Sequence, residues 1–406
     1  MIKISNSICV VSFLAIFIFS LNTSAQDLKS IVADAEKQTT FMLDQINQSK
    51  ASLTNDAGNK RKADQVSPRS LSTEGELTLV RSKDWTSGFF PGVLWYLYEF
   101  TGDKKWEDQA RLFTSKIENE KLNGVTHDIG FKIYCSFGAG YRLTKDPEYK
   151  NIIIQAAKIL STRFSPIVGC IRSWDHSKDK WGYPVIIDNM MNLELLFEAT
   201  KLTGDSSFYK IAVSHANTTL KNHFRPDFSS YHVIDYDTIT GKVLKKNTHQ
   251  GYSHESAWAR GQAWALYGFT MCYRETRDPK YLKQAENVAG FILNHPHLPA
   301  DLIPYWDFDA PNIPNEPRDA SAGAVIASAL YELSTYSKNS STYRNKADQI
   351  LKSLTGNYRS PLGQNKGFIL LHSTGTKPTS IEVDQPIIYA DYYYLEALIR
   401  SRKTKN

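Results

Sequence analysis

The chain has 406 residues and a formal net charge of +6, with 41% hydrophobic against 22% charged residues, enough apolar side chain for one large folded domain. The positive charge is spread along the sequence, with dense runs only at Lys60-Arg61-Lys62 and Lys245-Lys246, so no nucleic-acid footprint is present and an anionic small substrate is compatible. Four widely spaced cysteines, one of them Cys9, suggest neither a disulfide framework nor a metal cage.

In chain order, Lys3, an apolar run from Ile8 to Leu21 and then Thr23-Ser24-Ala25 have the layout of a secretory signal cleaved after Ala25. The run is short for a bilayer span and no cysteine stands at the cleavage point, so no stable membrane anchor is expected. Residues 26–406 are then read as a single domain. An amphipathic helix is expected near Leu28 to Gln48, and the polar stretch Lys50 to Lys83, containing Pro68, reads as a long loop.

From there on, apolar stretches end five times in a short turn led by Thr or Ser with Asp or Asn two residues on. The turns are Thr101-Gly102-Asp103, Thr144-Lys145-Asp146, Thr203-Gly204-Asp205, Thr276-Arg277-Asp278 and Ser337-Lys338-Asn339. The third residue of each is expected to cap a following helix, and Pro147 and Pro279 stand where a first helical position tolerates proline. Helices before the turns, such as Asn189 to Leu202, are apolar nearly all round and therefore buried; those after them, such as Pro279 to Leu293, are amphipathic and peripheral. With a last apolar helix near Ile388 to Ile399, twelve helices alternate outer and inner. The simplest closed arrangement is all-α, an (α/α)6 toroid whose parallel inner helices open their amino ends on one rim.

Functional residues are then expected at the starts of the inner helices, and unusual residues do stand there. They include Trp85 and Phe89 in the segment from Asp84 to Gly92, then Thr126-His127-Asp128, then Asp188 between Ile186-Ile187 and Met190-Met191. After these come His249-Gln250-Gly251-Tyr252, Arg260 and Trp264 between Trp258 and Ala265, Trp306-Asp307, Arg318-Asp319, and the segment from Glu382 to Pro386. A carboxylate among apolar neighbours has a raised pKa and can give a proton; a helix N-cap is the competing reading of both Asp188 and Asp128. Arg260 inside an apolar segment needs a carboxylate from the protein or from a ligand. Trp85, Phe89, Trp174, Trp258 and Trp264 are either sugar platforms or ordinary core. No nucleotide-binding loop, zinc-protease motif or serine nucleophile elbow occurs, and His127, His232, His249 and His254 lack metal-ligand spacing, so neither cofactor nor metal is expected.

At these residues the chain resembles the unsaturated glucuronyl hydrolases, glycoside hydrolase family 88. The resemblance runs from DWTSGFFPG at Asp84 through THDIGF, IIDNMMNLELLFEAT and HQGYSHESAWARGQAW to DQPIIYADYYYLEAL. It implies an (α/α)6 barrel acting on unsaturated oligosaccharides left by polysaccharide lyases. An Asp protonates C4 of the C4–C5 double bond, water adds at C5, and the hemiketal rearranges and releases the neighbouring sugar. By motif matching, Asp188 is the implied acid and base and Asp128 the second aspartate. His232 and Gln250 are matched to the water or sugar hydroxyls, Arg260 to the substrate uronate, and Trp85, Phe89, Trp174 and Trp264 to the unsaturated-sugar subsite, with His127 and His249 beside them. Ser373, Thr376 and Lys377 lie where the leaving sugar or its sulfate would be met. The resemblance also implies a periplasmic setting, while an unsaturated rhamnogalacturonyl hydrolase and a non-catalytic sugar-binding toroid are the alternatives.

Overall fold

The Thr-led turns share one local device. Thr101, Thr144, Thr203 and Thr276 donate their hydroxyls to the carbonyl four residues back, at 2.7–2.8 Å. Gly102, Lys145, Gly204 and Arg277 then turn left-handed and end the helix. The backbone amide of each following aspartate donates to the Thr hydroxyl oxygen, and the aspartate side chain accepts from the backbone amide two residues on. Asp278→Ala is expected to cost about 1 kcal/mol, read as a lower urea midpoint with an unchanged slope. The fifth turn departs from expectation. Asn339 makes no side-chain cap bond, because at φ −87°, ψ 30° it is not in the extended conformation that a capping side chain needs.

A computed structural model describes residues 11–54 and 64–403, with side chains in the first stretch from 28 to 49. The expected signal segment, Cys9 included, lies outside the described side chains. The helices are α1 (Val11–Thr54), α2 (Phe89–Thr101), α3 (Lys104–Ser115), α4 (Ala139–Thr144), α5 (Pro147–Ser161), α6 (Asn189–Thr203), α7 (Ser206–Asn222), α8 (Ala259–Thr276), α9 (Pro279–Asn294), α10 (Ala320–Ser334), α11 (Ser340–Asn357) and α12 (Ile388–Lys403). Residues Gly130–Gly138 form a π-helix that runs directly into α4, and the two make one inner rod.

The alternation of outer and inner helices follows from their burial. Every residue of α10 is buried, whereas α9 buries the single stripe Tyr281, Gln284, Ala285, Val288, Ala289 and Ile292. Contacts run from α2 to the π-wound rod, then to α6, α8, α10 and α12, and from α12 back to α2, so the inner ring is closed. Cys135, Cys170 and Cys272 are all buried and free. No helix among the described residues is long and apolar enough to cross a membrane.

Small sheets supplement the helices at the rim. The stretch expected to be a long loop contains an antiparallel hairpin, β1 (Gln65–Leu71) with β2 (Leu77–Arg81), and Pro68 sits beside a register shift where the ladder tolerates it. Strands β3 (Phe164–Ser165) and β4 (Cys170–Ile171) pair with each other. Strands β5 (Pro184–Ile186), β6 (Val233–Tyr236) and β7 (Val243–Asn247) form an antiparallel sheet in that order.

Candidate active site

The β5–β6 register brings the two central groups together. Ile186 pairs with Val233, and the Ile187 amide donates to the His232 carbonyl at 3.0 Å. Asp188 and His232, at the end of this ladder, are therefore neighbours, with His232 Nε2 3.6 Å from Asp188 Oδ2. His232 Nδ1 accepts the backbone amides of His249 and Gln250, each at 3.2 Å. That assignment puts the ring proton on Nε2, on the Asp188 side. Burial above all, with His249 and Arg260 nearby, keeps this imidazole neutral by lowering its pKa well below the usual histidine range.

Asp188 stands at the amino end of α6 but with helical dihedrals and no capping bond, so the cap reading fails. It is 8% exposed and Oδ2 has no hydrogen-bond partner. Burial pushes the carboxyl up to about 6, opposed by His127 and Arg260 and aided by the negative charge of Asp128. Asp128 has the opposite character. Burial works to raise its pKa, yet His127 at 3.1 Å and the Thr126 hydroxyl at 2.6 Å hold it below the ordinary carboxylate value. One rim thus holds one carboxyl whose proton affinity is raised and another whose proton affinity is lowered, the separation that acid–base work requires.

Close backbone packing fixes the spacing of the two aspartates. A Cβ on Gly130 would lie 2.6 Å from the Asn192 Cα, and Asn192 Oδ1 accepts the Phe131 amide at 2.8 Å. Gly130→Ala is expected to push the π-wound rod from α6, costing about 1–3 kcal/mol and lowering kcat together with thermal stability. An alanine variant with wild-type kcat and melting temperature would remove this account of the spacing.

Arg260 finds its carboxylate within the protein. Nη1 donates to Asp319 Oδ2 at 2.8 Å and to the Thr374 carbonyl at 2.5 Å, and Nη2 donates to the Gly375 carbonyl at 2.6 Å. The fork expected to hold a substrate carboxylate is therefore occupied by the chain itself, and Nε is the nitrogen left without a partner. Gln250 Nε2 reaches the Gly375 carbonyl and Thr376 Oγ1, both at 3.2 Å. Ser373 is fully buried with an unpartnered hydroxyl and shares a backbone bridge with Gln385; Lys377 opens the 3-10 turn that follows.

The aromatics divide into two groups. Phe89, expected to line the sugar subsite, is fully buried among Trp85, Phe131, Tyr389, Tyr392 and Tyr393, so it supports the floor from within. Trp85 is half-buried against Tyr389, with ring centroids 5.0 Å apart. Trp264 packs on Phe131, and Trp174 is bridged through its backbone to Thr126, the residue that bonds Asp128. Buried polar atoms without a partner gather at this rim: His127 Nδ1, Trp174 Nε1, Asp188 Oδ2, His232 Nε2, Arg260 Nε, Trp264 Nε1, Ser373 Oγ and the Tyr389 hydroxyl. Such atoms are costly unless a ligand or water completes them, and their concentration marks a polar binding cleft.

The model of Glycosyl Hydrolase Family 88 matches residues 59–401. The chain belongs to this family. As a family 88 hydrolase it is 56% identical over 340 residues to an unsaturated glucuronyl hydrolase of Formosa agariphila, covering 82% of this chain and 84% of that one. It is 36% identical over 327 residues to an unsaturated chondroitin disaccharide hydrolase of Streptococcus agalactiae, covering 79% and 82%. A crystal structure of an unsaturated glucuronyl hydrolase specific for heparin superposes with a TM-score of 0.84 at 47% identity, covering 92% of this chain and 97% of that one.

Two residues with unpartnered buried polar atoms, Tyr389 and Trp181, were not picked out from the sequence. Tyr389 carries an unpartnered hydroxyl at the start of α12, a position the inner-helix rule points to. Trp181, in the segment between β4 and β5, carries no periodic signal at all.

Proposed function

We propose that this chain removes the 4,5-unsaturated uronic acid from the non-reducing end of lyase-generated glycosaminoglycan oligosaccharides by hydrating its double bond. The observation that carries the reading is Asp188, an uncapped, buried carboxyl held near a pKa of 6 beside a neutral imidazole and in the field of ionised Asp128. Protonated Asp188 gives its proton to C4, and water adds at C5. The Asp188 carboxylate so formed takes the proton of that water, which restores the acid. Opening of the C5 hemiketal then leaves a ketone at C5 and an unstable C1 hemiacetal, which expels the neighbouring sugar. Asp128 keeps its charge throughout, which opposes early ionisation of Asp188 and suits it to hold sugar hydroxyls.

The labelling test is direct. In heavy water, unsaturated disaccharides from chondroitin or heparin lyase digests are expected to yield a uronate product with one deuteron at C4, in step with loss of the ultraviolet absorbance of the conjugated double bond. Release of an unsaturated uronate without deuterium would sink the hydration reading in favour of displacement at the anomeric carbon. The apolar run before Ala25 supports export to a bacterial periplasm, and the mature protein recovered from its host should then begin at Gln26.

A further inference from the structure

The His232 ring is held at its face and at its edge by two separate segments. Trp258 packs against the face, with ring centroids 4.5 Å apart, and the amides of His249 and Gln250 reach Nδ1 from the edge. These two residues follow β7 closely, and the pairing of Asn247 with Val233 fixes where their loop begins. The far end of the loop is tied to Asp307 instead. Its Oδ2 accepts the Tyr252 amide at 2.8 Å and lies 2.8 Å from the Ser256 hydroxyl.

Asp307 is fully buried. Its Oδ1 accepts the Asp309 amide at 2.9 Å, and the Phe308 amide donates to the Ala257 carbonyl and the Ala259 amide to the Trp306 carbonyl, which fixes its segment alongside Trp258. One carboxylate thus sits between both supports of His232. The loop is wound closely on it: a Cβ on Gly251 would lie 3.1 Å from Asp307 Oδ2 and 3.2 Å from the Trp258 Cβ. It would also lie 2.7 Å from Thr248 Oγ1, the atom that accepts the Gly251 amide. Burying a carboxyl is costly unless its oxygens are bonded. Burial, aided by the Asp309 charge, pushes this one up to about 6 against the bonds from Tyr252, Asp309 and Ser256. Two oxygens that both accept let it take donors from two directions, which an amide with one acceptor oxygen cannot do.

We propose that Asp307 is a positioning residue for the hydration reaction: by anchoring the 248–256 loop it keeps the His249 and Gln250 amides on His232 Nδ1, so that the ring proton stays on Nε2. The assignment rests on the hydration reading of Asp188, which makes the group facing Asp188 part of the proton transfer. His232 Nε2 lies 3.6 Å from Asp188 Oδ2. Protonated there, the imidazole presents a donor to the carboxylate that Asp188 becomes once C4 has taken its proton. In the other tautomer a lone pair would face that carboxylate and oppose its formation.

The test is the nitrogen NMR spectrum of the imidazoles, which separates a protonated ring nitrogen from a bare one; the His232 signals are those missing from His232→Gln. Wild type without substrate is expected to show His232 with its proton on Nε2 alone. Asp307→Asn, which keeps the shape but gives up one acceptor oxygen, is expected to show protons on both nitrogens. It should also lower kcat on an unsaturated disaccharide from a chondroitin or heparin lyase digest by about 10–10²-fold. Gly251→Ala, which leaves Asp307 intact and displaces the loop, is expected to change both readouts in the same direction. A folded Asp307→Asn with either the wild-type spectrum or the wild-type kcat overturns the proposal, as does a wild type without the Nε2 form. If Asp307→Asn fails to fold, a wild-type spectrum in Gly251→Ala overturns it equally. The C4 deuteron in wild type judges the hydration reading separately: without that deuteron the role of Asp307 in the reaction falls, whatever the imidazole spectrum shows.

Discussion

Asp188→Asn is expected to lower kcat/KM by about 10²–10⁴-fold while making the protein more stable at neutral pH. The first effect follows because the amide can neither give the C4 proton nor take one from water. The second follows from linkage. The Asp188 pKa rises from 3.8 to about 6 on folding, so the stability of the wild type is highest below the unfolded pKa and is lost as pH rises through the folded one. The full loss corresponds to about 3 kcal/mol. Asparagine carries no such penalty, so the variant should melt above wild type at pH 8 and the gap should close near pH 4. Because the protonated acid is required, wild-type kcat/KM should also fall as pH rises through about 6. A variant that retains activity, or whose stability relative to wild type is independent of pH, would falsify the assignment of Asp188 as the proton donor.

Asp319→Ala is the second large effect. Asp319 is fully buried, caps α10 through the amides of Ser321 and Ala322, and provides the carboxylate partner of Arg260. Its removal leaves a buried guanidinium without a counter-charge, a loss of about 3–5 kcal/mol. The Thr374 and Gly375 carbonyls are held by the same guanidinium, so the loop beside the cleft should loosen as well. Arg260→Lys separates the two consequences. It keeps a positive charge near Asp319 but cannot grip both carbonyls at once, so it should fold while losing about 10²-fold in kcat/KM through misplacement of the loop. Equal melting temperatures for wild type and Asp319→Ala would show that the ion pair does not hold this rim.

Local chemistry was legible in the sequence and tertiary pairing was not. The Thr-x-Asp turns could be read because hydroxyl, left-handed residue and capping carboxylate all lie within a few residues of one another. The toroid followed because all-round apolar segments such as Ala320–Ser334 must be inner and single-stripe segments such as Pro279–Asn294 outer. Asp188 stood out as a carboxylate among Ile and Met, yet only its dihedrals and missing cap bond set the helix-cap reading aside. The Arg260 partner was beyond reach, since Asp319 lies 59 residues away and a carboxylate from the protein or from a ligand would satisfy the same sequence rule. Phe89 stood open between core and cleft, with only the motif match setting it at the sugar, because position alone cannot show that Tyr389, Tyr392 and Tyr393, from the far end of the chain, pack around it. The β1–β2 hairpin was missed because Pro68 and polar neighbours mask its alternation.

The two ends of the barrel are connected very differently. Gly102 with Asp103, Lys145 with Asp146, Gly204 with Asp205 and Arg277 with Asp278 are the whole of four inner-to-outer links, whereas the returns over 162–188, 223–258, 295–319 and 358–387 are long and carry the cleft. One end therefore behaves as a hinge-free base and the other as an interchangeable face. Insertions in the long returns can alter which oligosaccharide is accepted without disturbing the closures at the base. A lineage can thus diversify its diet of polysaccharides while its folding problem stays the same.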